Sequence, residues 1–339
     1  MIDKSKSVLL IGSDGFLGNW FRDILDENGN KYATYDIQSG NDICGGMGDI
    51  PRYDYVINCA GIASPEKYMK QPVETMDVSY IGTKNVLDYC VDNKVESVLM
   101  FSSSEVYGTP ESISIPTKED YIGTIPTRSS RSCYDIGKQV LETLCHIYHN
   151  KHNVPVKVVR PFNFYGAYMG INDNRVLSNW MRSMLRDEDI MIYGDGKQIR
   201  DWLYVEDHCR AIELIIDKGK RGETYNIGGN NGMTNIELVI LLCEIINQRF
   251  DSNPEMKQCY PNSPCSNDLR AESLITYVQD RPGHDRRYAV DISKISAELG
   301  FQPRNSFISG LNKTVDWYLE NKEWWKSILN GTYRDDNLS

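Results

Sequence analysis

Short apolar runs alternate with amphipathic stretches along the first half of the chain. Runs with the character of buried strands lie at residues 7–12, 31–36, 55–60, 97–103 and 156–161. Helical patterns lie between them, one ending near residue 28 and others at 81–93 and 134–151. Strands that alternate with helices predict a parallel sheet covered on both faces. The right-handed crossover rule makes this an α/β fold with a Rossmann-type, doubly wound sheet.

The pattern becomes less regular after about residue 161. Helices are predicted at 176–187, 206–217, 234–249 and 307–321, with short strands at 190–193 and 223–228. Residues 251–268 are rich in Pro, Asn and Ser and predict an exposed loop. We therefore expect an NAD-binding domain over 1–165, with returning segments near 200–230. A smaller α/β C-terminal lobe over 166–339 would bind substrate.

Composition narrows the class of protein. Of 339 residues, 40% are apolar and 25% are charged, which is typical of a globular protein, and the net charge of -10 disfavours nucleic acid as a partner. No run is long enough for a transmembrane helix, and no signal peptide is evident, so we expect a cytoplasmic protein without a membrane partner. Nine cysteines without a Cys-x-x-Cys motif predict reduced thiols. No metal site is expected.

A glycine-rich turn between the first strand and the first helix is the clearest binding motif. Gly12, Gly15 and Gly18 are spaced as Gly-x-x-Gly-x-x-Gly, in the strand-to-helix context where such glycines let backbone approach a pyrophosphate. The free N–H groups of the helix attract phosphate. Asp36 ends the second predicted strand, where a carboxylate can accept hydrogen bonds from ribose hydroxyls and repels a 2′-phosphate. The cofactor predicted is NAD rather than NADP.

Tyr134 and Lys138 form the candidate catalytic pair. They lie four residues apart on one face of a predicted helix. Tyrosine has an ordinary pKa of about 10, and a nearby ammonium favours the phenolate. Lowering that pKa by about three units requires roughly 4 kcal/mol. A tyrosine tuned in this way can take a proton from a sugar hydroxyl while hydride leaves for a nicotinamide.

Four motifs together resemble the extended short-chain dehydrogenase/reductase family. They are the glycine turn, Asn58-Cys-Ala-Gly61, Ser102-Ser-Ser-Glu-Val-Tyr-Gly108 and Tyr134-x-x-x-Lys138. The resemblance implies an enzyme that modifies a nucleotide-diphosphate sugar through a 4-keto intermediate. It implies that Tyr134 takes the C4 hydroxyl proton, that Ser103 hydrogen-bonds the same oxygen, and that Lys138 holds the nicotinamide ribose. The further cofactor residues it implies are Phe16, Leu17, Asp42, Ile43, Ala60, Gly61 and Ser102.

Two subgroups of that family compete for the reaction. From residue 275 onward the chain resembles dTDP-glucose 4,6-dehydratases, but those enzymes carry Asp-Glu before Val-Tyr-Gly, where this chain has Ser104 and Glu105. Residues 60–179 resemble UDP-glucuronate decarboxylases instead. Arg131, three residues before Tyr134, could hold a C6 carboxylate by two parallel hydrogen bonds. Glu105 would order the C5/C6 side in either case, and Ser104 would contact substrate.

We predict a UDP-glucuronate decarboxylase from these substrate-proximal residues. The main alternative is a dTDP- or UDP-hexose 4,6-dehydratase. A nucleotide-sugar 4-epimerase and a non-catalytic NAD-binding sensor are further alternatives. The resemblance also implies positions that hold the nucleotide diphosphate and the rest of the substrate: Asn163, Arg175, Asn179, Tyr193, Arg200 and Arg281.

An apolar stripe on the predicted helix 134–151 suggests self-association. Its members recur at the spacing of one helical face: Val140, Leu141, Leu144, Ile147 and Tyr148. Part of that face must cover the sheet. Family members pair this helix and the one near 81–93 with their copies, so we predict a homodimer through a four-helix interface.

Overall fold

The structure is a computed structural model that describes residues 2–172, 175–280 and 286–330. The strands, numbered in chain order, are β1 (Val8–Ile11), β2 (Tyr32–Tyr35), β3 (Tyr55–Asn58), β4 (Ser97–Phe101), β5 (Val156–Pro161), β6 (Phe164–Tyr165), β7 (Ile190–Tyr193), β8 (Ile199–Asp201), β9 (Leu203–Tyr204), β10 (Thr224–Ile227), β11 (Gly232–Thr234), β12 (Ile275–Val278) and β13 (Arg287–Tyr288). The helices are α1 (Phe16–Asn28), α2 (Pro65–Lys70), α3 (Pro72–Asp77), α4 (Thr83–Asn93), α5 (Ser132–His152), α6 (Val176–Arg186), α7 (Val205–Lys218), α8 (Asn235–Ser252), α9 (Glu255–Cys259), α10 (Ser293–Leu299), α11 (Phe307–Glu320) and α12 (Lys322–Leu329).

Six parallel strands form the main sheet, in the order β10-β5-β4-β3-β1-β2. The chain runs outward from β1 to β2, and then returns past β1 to add β3, β4, β5 and β10 on the other side. This reversal beside β1 is the topological switch point at which doubly wound sheets bind ligands. The carboxyl ends of β1, β2 and β3 meet there, because Ile11 is in register with both Tyr35 and Asn58. The predicted Rossmann-type fold is confirmed.

Alternating strand residues supply two apolar layers. Val8 and Leu10 pack into the core on one face of the sheet, whereas Leu9 and Ile11 pack into the core on the other. The first core includes residues of α1, α7 and α11, and the second includes residues of α4 and α5. A strand buried on both faces shows an unbroken apolar run, which explains why β1, β3 and β4 were readable from sequence.

The helices predicted at 134–151 and 81–93 both differ from their predicted bounds. α5 begins at Ser132, two residues before the predicted start, and it ends where Asn153 adopts a left-handed conformation with φ 55°. The helix predicted at 81–93 begins as α4 at Thr83. It continues directly from α3 through a π-helical turn at Val78–Gly82, and such turns widen a helix by one residue.

Smaller strand pairings lie outside the main sheet. β7 pairs with β12, β6 pairs with β9, and β8 pairs with both β11 and β13. The predicted exposed loop at 251–268 is wrong in part, because α9 lies within it and Tyr260 is only 2% exposed. The Tyr260 hydroxyl donates to the Leu319 carbonyl at 2.7 Å, and Ser263 donates to the Met184 carbonyl at 2.8 Å. These bonds hold a polar-looking segment against α6 and α11.

Membrane-spanning helices are not found in the part of the chain that the structure describes. None of its helices combines the length and the apolar character that crossing a bilayer requires.

Candidate active site

The glycine turn fits tightly against the loop that follows β3. Gly12 has φ 74°, and a Cβ atom added there would lie 2.6 Å from the backbone nitrogen of Ala60. A Cβ at Gly18 would overlap the carbonyl oxygen of Gly12. Both positions therefore exclude any side chain, as expected where backbone closely approaches backbone or a bound pyrophosphate.

The first turn of α1 presents a positive helix end at this place. Gly15 is the N-cap residue of α1 and has an extended conformation, and no side chain caps this end of the helix. The first turn of α1, all of whose residues the structure describes, contains no acidic residue. The N–H groups and the helix dipole are thus left for an anion. Phe16 and Leu17 begin the helix and pack against the core, with Phe16 stacked on Phe164 at a centroid distance of 5.3 Å. The tight glycine turn and the uncapped start of α1 therefore fit the pyrophosphate of a dinucleotide.

Asp36 lies immediately beyond β2, beside the glycine turn, and is only 8% exposed. One carboxylate oxygen accepts from the backbone nitrogen of Asp14 at 2.9 Å, and the other accepts from that of Gln38 at 3.0 Å. A carboxylate oxygen has more than one acceptor site, so each can still accept a ribose hydroxyl. The backbone bonds fix the negative charge where a 2′-phosphate would be repelled.

Four other predicted cofactor residues lie on the loops that follow β2 and β3. Asp42 caps the turn that contains the buried Ile43, whose carbonyl accepts from Asn85 at 2.7 Å. Ala60 donates its backbone N–H to the Asn58 side chain at 3.1 Å. A Cβ at Gly61 would lie 3.5 Å from the Lys138 ammonium nitrogen, so the loop after β3 reaches the catalytic helix.

The candidate catalytic pair lies in the first two turns of α5, but its electrostatics differ from the prediction. The Lys138 ammonium nitrogen is 5.7 Å from the centroid of the Tyr134 ring and donates to the Phe101 carbonyl at 2.7 Å. Burial raises the pKa of Tyr134 to about 12 and lowers the pKa of Lys138 to about 8. The expectation that the lysine lowers the tyrosine pKa is therefore wrong for the protein alone. Loss of hydration outweighs an ammonium that is turned toward a backbone carbonyl.

Two groups hold the Tyr134 ring and hydroxyl. The Tyr68 ring, from α2, stacks on it with centroids 5.0 Å apart and planes inclined by 16°. A hydrogen bond with Ser103 lowers the tyrosine pKa, against the larger effect of burial. Ser103 also caps the turn Ser104–Tyr107 by accepting from the Glu105 backbone nitrogen at 3.2 Å. The structure thus brings Ser103, Tyr134 and Lys138 together.

The C5/C6 side predicted from sequence contains an ion pair. The Arg131 guanidinium contacts the Glu105 carboxylate, and the same nitrogen lies 3.9 Å from Asp135. Ser104 is buried, and its carbonyl accepts from the Tyr288 hydroxyl at 2.6 Å. Arg131 was predicted to hold a substrate carboxylate, but its guanidinium already pairs with the Glu105 carboxylate of the chain.

Sequence reasoning missed a network beneath the site. Ser102 donates to Glu142 at 2.5 Å, and Arg160 binds both Glu142 oxygens at 2.8 and 2.6 Å. The bidentate pair joins β5 to α5, and the Ser102 bond joins the carboxyl end of β4 to the same carboxylate. Tyr68 and Asp135 were missed as well. The only signal for Asp135 was its place directly after Tyr134, and nothing in the spacing linked Glu142 to Ser102.

The predicted diphosphate residues are spread over several elements. Arg175, at the start of α6, lies 5.5 Å from the Phe16 ring and so stands beside the glycine turn. Asn179 donates its backbone N–H to the Arg175 carbonyl at 3.0 Å, and the Asn163 carbonyl accepts from Leu203 at 3.1 Å. Tyr193 ends β7, and Arg200 lies on β8. Arg281 lies outside the described residues.

Comparison with known proteins assigns the class. Residues 8–228 match the model of the NAD dependent epimerase/dehydratase family, and the chain belongs to that family. This membership confirms the resemblance predicted from the four motifs and the prediction of NAD as cofactor.

Its relatives narrow the class further. The chain is 36% identical to a dTDP-glucose 4,6-dehydratase of Neisseria meningitidis serogroup B over 296 residues, covering 85% of this chain and 78% of the relative. It is 31% identical to that of Salmonella typhimurium over 372 residues, covering 96% of each. The crystal structure of DesIV, a dTDP-glucose 4,6-dehydratase from Streptomyces venezuelae with NAD and TYD bound, superposes with a TM-score of 0.76 at 26% identity. That match covers 95% of this chain and 99% of DesIV.

These relatives support one of the two predicted reactions better than the other. They give no support to the predicted decarboxylase and favour the dehydratase alternative. These relatives therefore agree better with the resemblance from residue 275 onward than with the resemblance of residues 60–179. The chain is an enzyme of NAD-dependent nucleotide-sugar epimerase/dehydratase type.

Proposed function

We propose that this protein is a nucleotide-sugar 4,6-dehydratase that oxidises C4 of a dTDP- or UDP-hexose and removes water across C5 and C6. The hydride taken from C4 then returns to C6 and a proton returns to C5, so that the net change is the loss of one water. The observation that carries the proposal is the grouping of Ser103, Tyr134 and Lys138 beside the glycine turn. Support for dehydration comes from relatives named dTDP-glucose 4,6-dehydratase that share 31–36% of their residues with this chain.

Proton removal at C4 is the first task of the chain. Tyr134 takes the proton of the C4 hydroxyl, and Ser103 hydrogen-bonds the same oxygen. When bound, NAD supplies the hydride acceptor for C4 and a positively charged ring. Lys138, buried and close to Gly61, would hold the nicotinamide ribose.

Elimination follows because a C4 ketone acidifies the C5 hydrogen. Glu105, fixed by Arg131, is the base that takes this hydrogen. A positioned carboxylate contributes about 10²–10⁴-fold to such a step. Arg175, Asn179, Asn163, Tyr193 and Arg200 are proposed to bind the nucleotide diphosphate and the sugar, with Arg281 as a further candidate.

Charge at the C5/C6 side argues against a glucuronate substrate. A C6 carboxylate would join the Glu105 carboxylate beside the Arg131 guanidinium. Two anions that share one cation repel one another. A neutral C6 hydroxymethyl group meets no such repulsion, so the ion pair favours a hexose.

A substrate comparison tests the proposed reaction. Purified protein with NAD is incubated separately with dTDP-glucose, UDP-glucose and UDP-glucuronate, and the products are examined by mass spectrometry. We expect a hexose product lighter by one water. Release of CO₂ from UDP-glucuronate without water loss from either hexose would reverse the assignment in favour of a decarboxylase. An isomer of unchanged mass would indicate an epimerase, and no reaction with any substrate would favour a sensor.

A homodimer through α4 and α5 is proposed as the working assembly. The predicted stripe lies on α5, where Leu141 and Tyr148 are buried within the protein and Ile147 is 45% exposed. Tyr80 and Ile81, just before α4, are exposed as well. A second copy of the chain would cover these apolar side chains and complete a four-helix interface.

A further inference from the structure

Asp135 is an acidic side chain of the site that is largely shielded from water. It directly follows Tyr134, and its side chain is 13% exposed. One carboxylate oxygen is buried and has no hydrogen-bond partner among the described residues. That atom lies 3.9 Å from the Arg131 guanidinium, which also contacts Glu105. A buried polar atom without a partner in the protein is available to a ligand.

The helix face that carries Asp135 lies along the turn after β4. Residues four and seven positions further on share this face. Gln139 donates to the Val106 carbonyl at 3.1 Å, and Glu142 accepts from Ser102 at 2.5 Å. Asp135 therefore faces the part of the turn that contains Ser103, Ser104 and Glu105.

The surroundings of Asp135 favour its protonated form. Burial, followed by the charge of Glu105, raises its pKa to about 7, and Arg131 partly opposes the shift. The other titratable groups near this cluster are Tyr68 from α2, Cys133 and Tyr134 from α5, and Tyr288, whose charge acts on Arg131 from β13. Arg131 is the nearby cation, and it is shared with Glu105.

The 4,6-dehydratases that this chain resembles carry an aspartate where this chain has Ser104. The proposed dehydration therefore lacks an acid at position 104. An aliphatic hydroxyl is a far weaker proton donor than a carboxylic acid, and departure of hydroxide without a proton is slow. We propose that Asp135 supplies the proton to the C6 hydroxyl, in place of an acid at position 104. This inference rests on the proposed dehydratase function.

The step balances as an elimination from the 4-keto sugar. Glu105 takes the C5 proton, the C5–H electrons form the C5=C6 double bond, and the C6–O bond breaks. The Asp135 proton joins the departing oxygen, which leaves as water. One carboxylate gains a proton and the other loses one, so the net charge of the pair is unchanged.

Asp135→Asn separates this role from a structural one. The variant is incubated with dTDP-glucose and NAD in heavy water, and mass spectrometry follows both water loss and deuterium uptake at C5 of recovered substrate. Because Glu105 and Tyr134 remain, we expect C5 exchange to continue while water loss slows about 10²–10⁴-fold. In the wild type, the rate of water loss should decline as the pH rises through about 7, where Asp135 ionises. The rate of the variant should show no such decline. Asp92→Asn, an exposed site on α4, is the matched control.

Two results would overturn the inference. Water loss in the variant at the wild-type rate would exclude Asp135 as the donor, and an equal fall of exchange and water loss would assign it a structural role. A wild type that releases no water from any hexose would overturn the proposed function first, and this inference with it. Restored water loss on adding Ser104→Asp to the variant would support the inference further.

Discussion

The rings of Tyr68 and Tyr134 stack with their centroids 5.0 Å apart, so this contact holds the Tyr134 side chain by its ring and not through its hydroxyl, the group proposed to take the C4 proton. Tyr134→Phe keeps that stacking and removes only the hydroxyl. We expect turnover to fall at least 10²–10⁴-fold, the range for loss of a general acid or base, while NAD affinity changes little. Turnover and NAD titration by fluorescence measure the two effects, with Tyr277→Phe on exposed β12 as the control. Undiminished turnover would remove Tyr134 from the mechanism.

Asp36 should set the preference for NAD over NADP. Its carboxylate is held by two backbone N–H groups, so Asp36→Asn removes a fixed negative charge with little change in shape. Loss of a charged hydrogen bond of about 1.5–3 kcal/mol predicts NAD binding weaker by about 10- to 100-fold. The ratio of NADP to NAD affinity should rise, as measured by calorimetry. Asp49→Asn, at an exposed position, is the control. The same ratio of NADP to NAD affinity in both variants would contradict this role of Asp36.

Stability should depend on pH through Asp135. Its folded pKa of about 7 is raised above the ordinary 3.8, so ionisation costs stability, and the free energy of unfolding falls between about pH 4 and pH 7. Asp135→Asn removes this cost. After allowance for solvent screening, we expect a gain of about 1–2 kcal/mol at pH 8 and little change at pH 4. Urea midpoints at the two pH values test it, and equal effects at both would contradict the raised pKa.

Ile147 should lie in the interface between two copies of the chain. Ile147→Asp would place a charge in a buried apolar contact, which costs several kcal/mol. We expect sedimentation to show a dimer for the wild type and a monomer for the variant. Ile240→Asp on α8 alters a side chain of similar exposure, 42%, and should remain dimeric. A wild-type monomer, or dissociation by both changes, would refute an interface through α5.

The inner strands β1, β3 and β4 were predictable from sequence because they are buried on both faces. Val8 to Ile11 form an unbroken apolar run, and the glycines that follow satisfy a steric requirement found at Gly12 and Gly18. Segment 251–268 was misread because its burial depends on bonds to distant residues, such as that of Tyr260 to Leu319. Composition carries no information about such partners.

The sequence predicted which residues come together in the candidate site better than it predicted their hydrogen bonds and ion pairs. Ser103, Tyr134 and Lys138 come together as their motifs imply. Spacing could not reveal that Lys138 turns toward Phe101, or that Arg131 pairs with Glu105 across 26 positions. Both contacts depend on how β4 and the turn after it meet α5.

The fate of a C4 deuterium label tests the proposed reaction most directly. The protein is supplied with NAD and with dTDP-glucose that carries deuterium at C4, and the product is analysed by tandem mass spectrometry. We predict a product lighter by one water in which the label has left C4 and lies in the new C6 methyl group. A product that keeps its water, or a dehydrated product with the label still at C4, would contradict oxidation at C4 followed by 4,6-elimination.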